Sequence, residues 1–170
     1  MQFNQDQSEV IESAQKIELL LLDVDGVMTD GRLYFSNAGE ELKAFHTLDG
    51  HGIKMLKNTG VDVGIITGRT SKIVEHRAHN LGIDLLYQGR EDKLQALQEI
   101  LADKGMSLDQ VAYAGDDLPD LPAIQQAGLG FSVANGHADV RLAAAAVTTS
   151  FGGSGAVREI TDFLLKSRNK

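Results

Sequence analysis

Short, dense apolar runs alternate along the chain with longer segments that are apolar on one side only. Five runs are apolar on both faces, which is typical of buried strands in a parallel sheet; they span residues 17–22, 61–66, 85–87, 111–114 and 129–133. Amphipathic spacing predicts helices over residues 52–58, 71–81, 92–104, 118–127 and 156–165. Strands that alternate with helices predict an α/β fold, Rossmann-like and doubly wound, with a mainly parallel sheet.

Two segments near the N-terminus depart from this alternation. Residues 1–15 are polar with a weak apolar stripe, and we expect a short or frayed helix in this N-terminal extension. Strand-like runs over 32–35 and 42–46 flank a Ser-Asn-Ala-Gly turn. They predict a β-hairpin over residues 31–47 that projects directly after the first buried strand.

Shorter sequence patterns predict the last elements of the sheet, one helix cap and the C-terminal segment. A short helix near Asp139 and a strand at 146–147 complete the predicted sheet, and Asp49 is placed to cap the helix that starts at Gly52. Segment 150–170 begins with a Gly-rich stretch, which predicts a flexible hinge into a C-terminal helix. At 170 residues, we expect one domain over 1–170.

Composition excludes several function classes. The chain has no cysteine, so it has neither a thiol nucleophile nor a cysteine-ligated metal. Its formal net charge is -8 and no basic run interrupts the acidity, so we expect neither nucleic acid nor a membrane surface as a partner. Residues 1–15 lack the pattern of a signal peptide, and the longest apolar run, 19–22, is too short to span a bilayer. We therefore expect a cytoplasmic protein.

Polar side chains gather where the predicted strands end. Asp23 and Asp25 follow the first strand, Thr67 the second and Asp116 a later one, while Lys93 begins a helix. Ligands of doubly wound sheets bind outside the carboxyl ends of the strands. Clustered carboxylates repel one another unless a cation lies between them, and Mg²⁺ prefers oxygen ligands. We therefore hypothesise that Asp23 acts as a nucleophile and that Asp25, two residues further along, transfers protons.

These residues carry a resemblance to a known family. The chain resembles the haloacid-dehalogenase-like phosphatases in four ordered motifs: Asp-Val-Asp-Gly-Val at 23–27, Thr-Gly-Arg at 67–69, Lys93, and Gly-Asp-Asp at 115–117 followed by Asp120. The resemblance implies that Asp23 is the nucleophile, Asp25 the acid and base, Thr67 a phosphoryl contact and Lys93 the neutralising cation. It further implies that Asp23, the Asp25 carbonyl and Asp116 hold Mg²⁺, with support from Asp117.

The spacing between the motifs leaves no room for an inserted cap domain. The hairpin, one helix and one strand fill the chain between Asp25 and Thr67, and one helix and one strand fill the chain from Thr67 to Lys93. Because hairpin edges unpaired within one chain are usually covered, we expect a homo-oligomer whose neighbouring chains complete each site.

Segments 45–53 and 152–159 narrow the resemblance to a capless subfamily, the 3-deoxy-D-manno-octulosonate 8-phosphate phosphatases of lipopolysaccharide synthesis. The likeness implies a tetramer, hydrolysis of that sugar phosphate, and Arg158 with the Gly-rich tail folded over a neighbour's site. The implied substrate contacts are Asp25, His46, Thr47, Leu48, Asp49, Gly50, Lys54, Arg69, Arg77 and Lys93.

Simpler interpretations of several residues stay open at this point. Asp117 and Asp120 are equally typical of caps or turns, and Lys54 and Arg77 of surface ion pairs. Arg158 could instead cap its own C-terminal helix electrostatically. Two other functions remain: a capless phosphatase for another eight- or nine-carbon sugar-acid phosphate, and a non-catalytic assembly or partner domain.

Overall fold

The computed structural model describes residues 1–168, so the last two residues of the predicted segment 150–170 lie outside it. The strands are β1 (Gln2–Phe3), β2 (Leu19–Leu22), β3 (Tyr34–Phe35), β4 (Glu41–Leu42), β5 (Asp62–Ile66), β6 (Leu85–Tyr87), β7 (Val111–Gly115), β8 (Leu129–Ser132) and β9 (Ala146–Val147). The α-helices are α1 (Gln7–Lys16), α2 (Thr47–Lys57), α3 (Lys72–Leu81), α4 (Lys93–Lys104), α5 (Leu121–Gln126), α6 (Ala138–Ala143) and α7 (Ala156–Arg168).

Seven of the strands form one sheet, in the order β1-β9-β8-β7-β2-β5-β6. All neighbours pair in parallel except β1, which is antiparallel to β9. Strand β2 lies between β5 and β7 and is buried at all four positions. The carboxyl ends of β2, β5 and β7 therefore meet at one edge of the sheet, as the sequence predicts.

Alternate residues of β2 face two separate cores. Leu20 and Leu22 pack with helices α1, α2, α3 and α7, while Leu19 and Leu21 pack with α4, α5 and α6. Each fully buried leucine contributes about 1.5–3 kcal/mol. Helices on both faces of a mainly parallel sheet confirm the predicted doubly wound α/β fold.

No domain is inserted among the motifs within residues 1–168. The hairpin β3–β4, α2 and β5 connect Asp25 to Thr67, and α3 and β6 connect Thr67 to Lys93. The predicted absence of a cap domain is confirmed. Across the same residues, no helix is long and apolar enough to cross a membrane.

Helix α2 begins five residues earlier than predicted. It starts at Thr47, and the His46 imidazole accepts the cap hydrogen bond from the Leu48 amide at 3.3 Å. The prediction that Asp49 caps a helix from Gly52 is therefore wrong, since Asp49 lies inside the first turn. Packing of α2 against α7 outweighs the weak helix propensity of its glycines.

Other boundaries also differ from the predicted ones. The N-terminal extension contains the predicted helix, but β1 precedes it as an unpredicted edge strand. The hairpin strands have two residues each, and the predicted helix 118–127 is a 3₁₀ turn followed by α5, with a proline at the start of each piece. Short, proline-punctuated segments carry too little periodicity to fix their ends.

The Gly-rich stretch after β9 is docked rather than free. The Gly153 amide donates to the Val27 carbonyl at 3.0 Å, and the Gly152 amide donates to the Asn135 side chain at 2.7 Å. These bonds tie the stretch to the loop that follows β2 and to the turn that follows β8, so the predicted hinge is a turn packed beside the candidate site.

Candidate active site

The loop after β2 places Asp23 at the tip of the central strand. The Asp23 amide donates to the Ala114 carbonyl of β7 at 3.0 Å, and the Thr29 amide closes the turn onto the Val24 carbonyl. Gly26 within this turn has φ +107°, and a Cβ there would overlap the Asp116 carboxylate. Glycine thus lets the loop approach Asp116 closely, and Asp23 is 6% exposed.

Lys93, the first residue of α4, directs a buried ammonium at Asp23. Its Nζ donates to Asp23 Oδ1 at 2.5 Å, to the Ile66 carbonyl at 2.9 Å and to Asp120 Oδ1 at 3.1 Å. Burial disfavours the charged amine, but the carboxylates of Asp23 and Asp120 outweigh it and hold the Lys93 pKa above its usual value. The amine is therefore a fixed positive charge beside the Asp23 carboxylate.

Asp120 is a buried organiser of the site. Its Oδ1 accepts from the Tyr113 hydroxyl at 2.7 Å as well as from Lys93, and its Oδ2 accepts from the Asp116 amide at 3.1 Å. One carboxylate thereby fixes the amine and the backbone that carries Asp116. The sequence left its role open, although its position four residues after Asp116 and next to the motif was the available signal.

Two carboxyl groups of the site, those of Asp23 and Asp116, have strongly raised pKa values. Burial, together with the neighbouring Asp120 carboxylate, raises the pKa of Asp23 to about 7, although Lys93 acts in the opposite direction. Burial and the charges of Asp23 and Asp120 raise the pKa of Asp116 to about 8. Three acids compete for too little compensating charge, which is the electrostatic condition that a bound cation relieves.

The arrangement fits a divalent metal ion. Carboxylate oxygens of Asp23, Asp116 and Asp120 lie within 4.8 Å of one another. All are hard oxygen donors and neither histidine nor sulfur takes part, so Mg²⁺ suits the set better than zinc or copper.

Most of the predicted chemistry meets in one cavity of about 250 Å³ at the carboxyl edge of the sheet. The predicted site residues that line it are Asp23, Asp25, Thr67, Arg69, Lys93 and Asp116, and Asp117 and Asp120 join them. The Asp117 side chain accepts from the Leu118 amide at 2.8 Å. Asp117 is thus a cap of the 3₁₀ turn, the simpler of its two interpretations.

The other predicted substrate contacts lie elsewhere on the chain. Residues Thr47, Gly50, Lys54 and Arg77 line a separate cavity of about 290 Å³. Leu48 and Arg158 line a third, of about 450 Å³ between α2 and α7.

Three contacts hold the residues around the start of α2 in place. The Arg77 guanidinium lies 5.4 Å from the centre of the Phe45 ring and donates to the His46 carbonyl at 3.3 Å. Asp49 is buried and accepts from the Arg158 amide at 2.8 Å. Arg77 is therefore not the surface ion pair that a mid-helix arginine suggests, and within one chain these residues do not reach Asp23's cavity.

Sequence reasoning missed Lys43. This residue follows β4, and its ammonium contacts the Asp25 carboxylate from the hairpin side. Strand alternation gave no signal for the contact, because the hairpin strands are short and mostly exposed.

The site combines a buried carboxylate that can take up a phosphoryl group with further carboxylates that can hold a metal ion. This combination defines the class of hydrolases in which an aspartate forms a covalent bond to the substrate's phosphoryl group. Comparison with known proteins agrees with this class. The family model described as haloacid dehalogenase-like hydrolase matches residues 83–160.

Full-length relatives define the family more closely. The 3-deoxy-D-manno-octulosonate 8-phosphate phosphatase KdsC of Yersinia pestis is 51% identical over 162 residues, 95% of this chain and 87% of that protein. The Escherichia coli K12 KdsC is 47% identical over 163 residues, 96% of this chain and 87% of its own. We conclude that the chain belongs to the 3-deoxy-D-manno-octulosonate 8-phosphate phosphatase family.

A solved structure matches the whole fold. The phosphatase of this name from Moraxella catarrhalis, crystallised with magnesium, phosphate and KDO, superposes with a TM-score of 0.95 at 44% identity. The match covers 96% of this chain and 94% of that one.

Proposed function

We propose that this enzyme hydrolyses 3-deoxy-D-manno-octulosonate 8-phosphate to the free sugar acid and phosphate, as a step of lipopolysaccharide synthesis, with Mg²⁺ as its cofactor. The observation that carries the proposal is the Lys93 ammonium, 2.5 Å from the Asp23 carboxylate and enclosed at the tip of the central strand. The relatives that match most of this chain carry the same activity in their names.

The reaction proceeds in two displacements at phosphorus. An Asp23 oxygen forms a bond to phosphorus as the bond from phosphorus to the sugar oxygen breaks, and Asp25 gives its proton to that departing oxygen. Asp25, now a carboxylate, takes a proton from water while the water oxygen bonds to phosphorus. The bond between phosphorus and Asp23 then breaks and phosphate leaves.

The surrounding residues neutralise and orient the phosphoryl group. Lys93 faces its negative charge and Thr67 offers a hydroxyl at the cavity wall. Mg²⁺, held by Asp23, Asp116 and the Asp25 carbonyl, would supply further positive charge and keep Asp23 ionised. Phosphoryl transfer depends mainly on such positioning and charge compensation.

The sugar acid requires cations beyond those of the phosphate cavity. Arg69 stands in that cavity, whereas Lys54 and Arg77 line the separate one. We propose a homo-oligomer, a tetramer, in which the cavity of Lys54 and Arg77 faces the phosphate cavity of a neighbouring chain. Arginine and lysine there would hold the substrate carboxylate.

A panel of sugar phosphates with Mg²⁺ tests the proposal. We expect phosphate release from 3-deoxy-D-manno-octulosonate 8-phosphate that EDTA abolishes and that Asp23→Asn lowers on the order of 10⁴-fold. Asp84→Asn, an exposed acid away from the cavity, is the matched control and keeps full activity. A higher kcat/KM on another sugar-acid phosphate would reassign the substrate, and an active Asp23→Asn would refute the mechanism.

A further inference from the structure

The hairpin directs a buried cation at Asp25, a residue that lines the phosphate cavity. The Lys43 side chain is 2% exposed, and its Nζ contacts Asp25 Oδ1 and lies 3.2 Å from Glu41 Oε1. This burial contrasts with the neighbouring Leu42, which is 63% exposed. An ammonium loses much hydration when buried, so a lysine in such a place needs carboxylate partners to remain there.

Arg69 closes the cluster from the other side. Its Nη2 lies 3.4 Å from Glu41 Oε1, and its Nε lies 3.9 Å from Asp25 Oδ2. Two carboxylates and two cations thus alternate between the catalytic loop, the hairpin and the loop after β5. With both carboxyl groups ionised the cluster is neutral, and when Asp25 carries the proton that it donates, Glu41 still pairs with Lys43 and Arg69.

We propose that Lys43 is a positioning residue that holds the Asp25 carboxyl group against the cavity wall, where it meets the departing oxygen of the substrate. Asp25 stands on a loop with non-helical backbone angles, and no side chain of that loop bonds to its carboxylate. From the hairpin side, Lys43 holds Oδ1 of Asp25. Oδ2 of Asp25 lies on the side of Arg69, which lines the cavity. The inference deepens the proposed function and relies on it for the proton that Asp25 donates.

The leaving group provides a selective test. Sugar and other alkyl oxygens need a proton as they depart, whereas p-nitrophenolate departs without one. We expect Lys43→Met to slow alcohol release in single turnovers of 3-deoxy-D-manno-octulosonate 8-phosphate by about 10- to 100-fold, part of the usual effect of a general acid. Release of p-nitrophenol from p-nitrophenyl phosphate should change by less than about threefold, because this leaving group does not need a general acid.

Controls separate positioning from damage to the fold. The ratio of the two rates on one preparation does not depend on the fraction of folded enzyme. Arg32→Met removes another hairpin cation, 76% exposed at its side chain, and should leave both rates unchanged. In an Asp25→Asn background, Lys43→Met should cause little further loss, because the group it positions is already absent.

Two results would overturn the inference: an equal loss on both substrates, or an undiminished effect of Lys43→Met in the Asp25→Asn background. Failure of the proposed function appears differently, as a wild-type enzyme that does not hydrolyse the sugar phosphate. In that case the same ratio is measured with whichever primary alkyl phosphate the panel identifies, and it decides on Lys43 independently.

Discussion

Charge balance at single residues governs the site. Asp23, Asp116 and Asp120 present three carboxylates around the one ammonium of Lys93, which leaves two negative charges when all four groups are ionised. A divalent cation matches that remainder. Without a cation, Asp23 and Asp116 hold their protons to higher pH, as their raised pKa values express.

Mg²⁺ binding should therefore release protons and strengthen with rising pH. An acid whose pKa is raised to about 8, as for Asp116, holds its proton at neutral pH, and the metal must displace it. We expect the apparent affinity to fall by up to about tenfold per pH unit below about pH 8, and more steeply below about pH 7, where Asp23 also takes up a proton. Calorimetric titration of the metal-free protein with Mg²⁺, in buffers of different ionisation enthalpy, measures how many protons are released on binding.

Asp116→Asn supplies the comparison for that measurement. It removes an acid with a raised pKa, so binding of the metal should be much weaker and its remaining pH dependence shallower. An affinity in the wild type that does not change between about pH 6 and about pH 8 would contradict the electrostatic account.

At the scale of elements, two turns outside the motifs hold the loops that carry Asp23 and Asp116. The turn after β8 donates from the His137 amide to the Asp116 carbonyl at 2.7 Å, and its Asn135 side chain accepts from Gly152 at 2.7 Å. Gly152 in turn lies against the Gly26 carbonyl so closely that a Cβ would overlap it. The tail segment therefore supports the loop of Asp23 directly.

Gly152→Ala tests this support. The added methyl must push the Gly26 carbonyl aside, and overpacking of this kind costs about 1–3 kcal/mol. We expect a lower melting temperature and a kcat reduced more than KM is raised, because the loop that carries Asp23, the proposed nucleophile, moves. Ser154→Ala, at an exposed position of the same turn, is the control, and a Gly152→Ala enzyme with wild-type kcat would show that the loop is fixed elsewhere.

At the scale of the whole molecule, the hairpin exposes large apolar side chains. Phe35 is 57% exposed and Leu42 63% exposed on a two-stranded ribbon that no other strand pairs within residues 1–168. Exposed apolar edges of this kind are usually covered by another chain. The proposed oligomer would cover them and bring the Lys54 and Arg77 cavity to a neighbour's site.

The double variant Phe35→Glu, Leu42→Glu should dissociate the oligomer, because charge repulsion replaces apolar contact at the hairpin. Sedimentation should then give the monomer mass. We expect kcat/KM for the sugar-acid phosphate to fall by at least about tenfold, equivalent to the loss of one charged contact. Leu142→Glu, at a 76% exposed leucine on α6, is the control. A wild type that sediments as a monomer would refute the oligomer.

The sequence pattern alone predicts most of the sheet and most of the residues that line the phosphate cavity. Runs such as Leu19–Leu22 are apolar on both faces, and parallel strands that alternate with helices have few arrangements open to them. The same rule brings Asp23, Thr67 and Asp116 to one edge, so the cavity that they line follows from their positions at strand ends.

Only the tertiary structure decides the contacts that depend on packing between distant segments. Sequence placed Asp49 as a helix cap and left Asp120 open, but the fold buries Asp49 beneath α7 and turns Asp120 towards Lys93. Lys43 reaches Asp25 because the hairpin folds over the catalytic loop. Strand order follows from local periodicity, whereas the direction and burial of a single polar side chain depend on which neighbours fill the space around it.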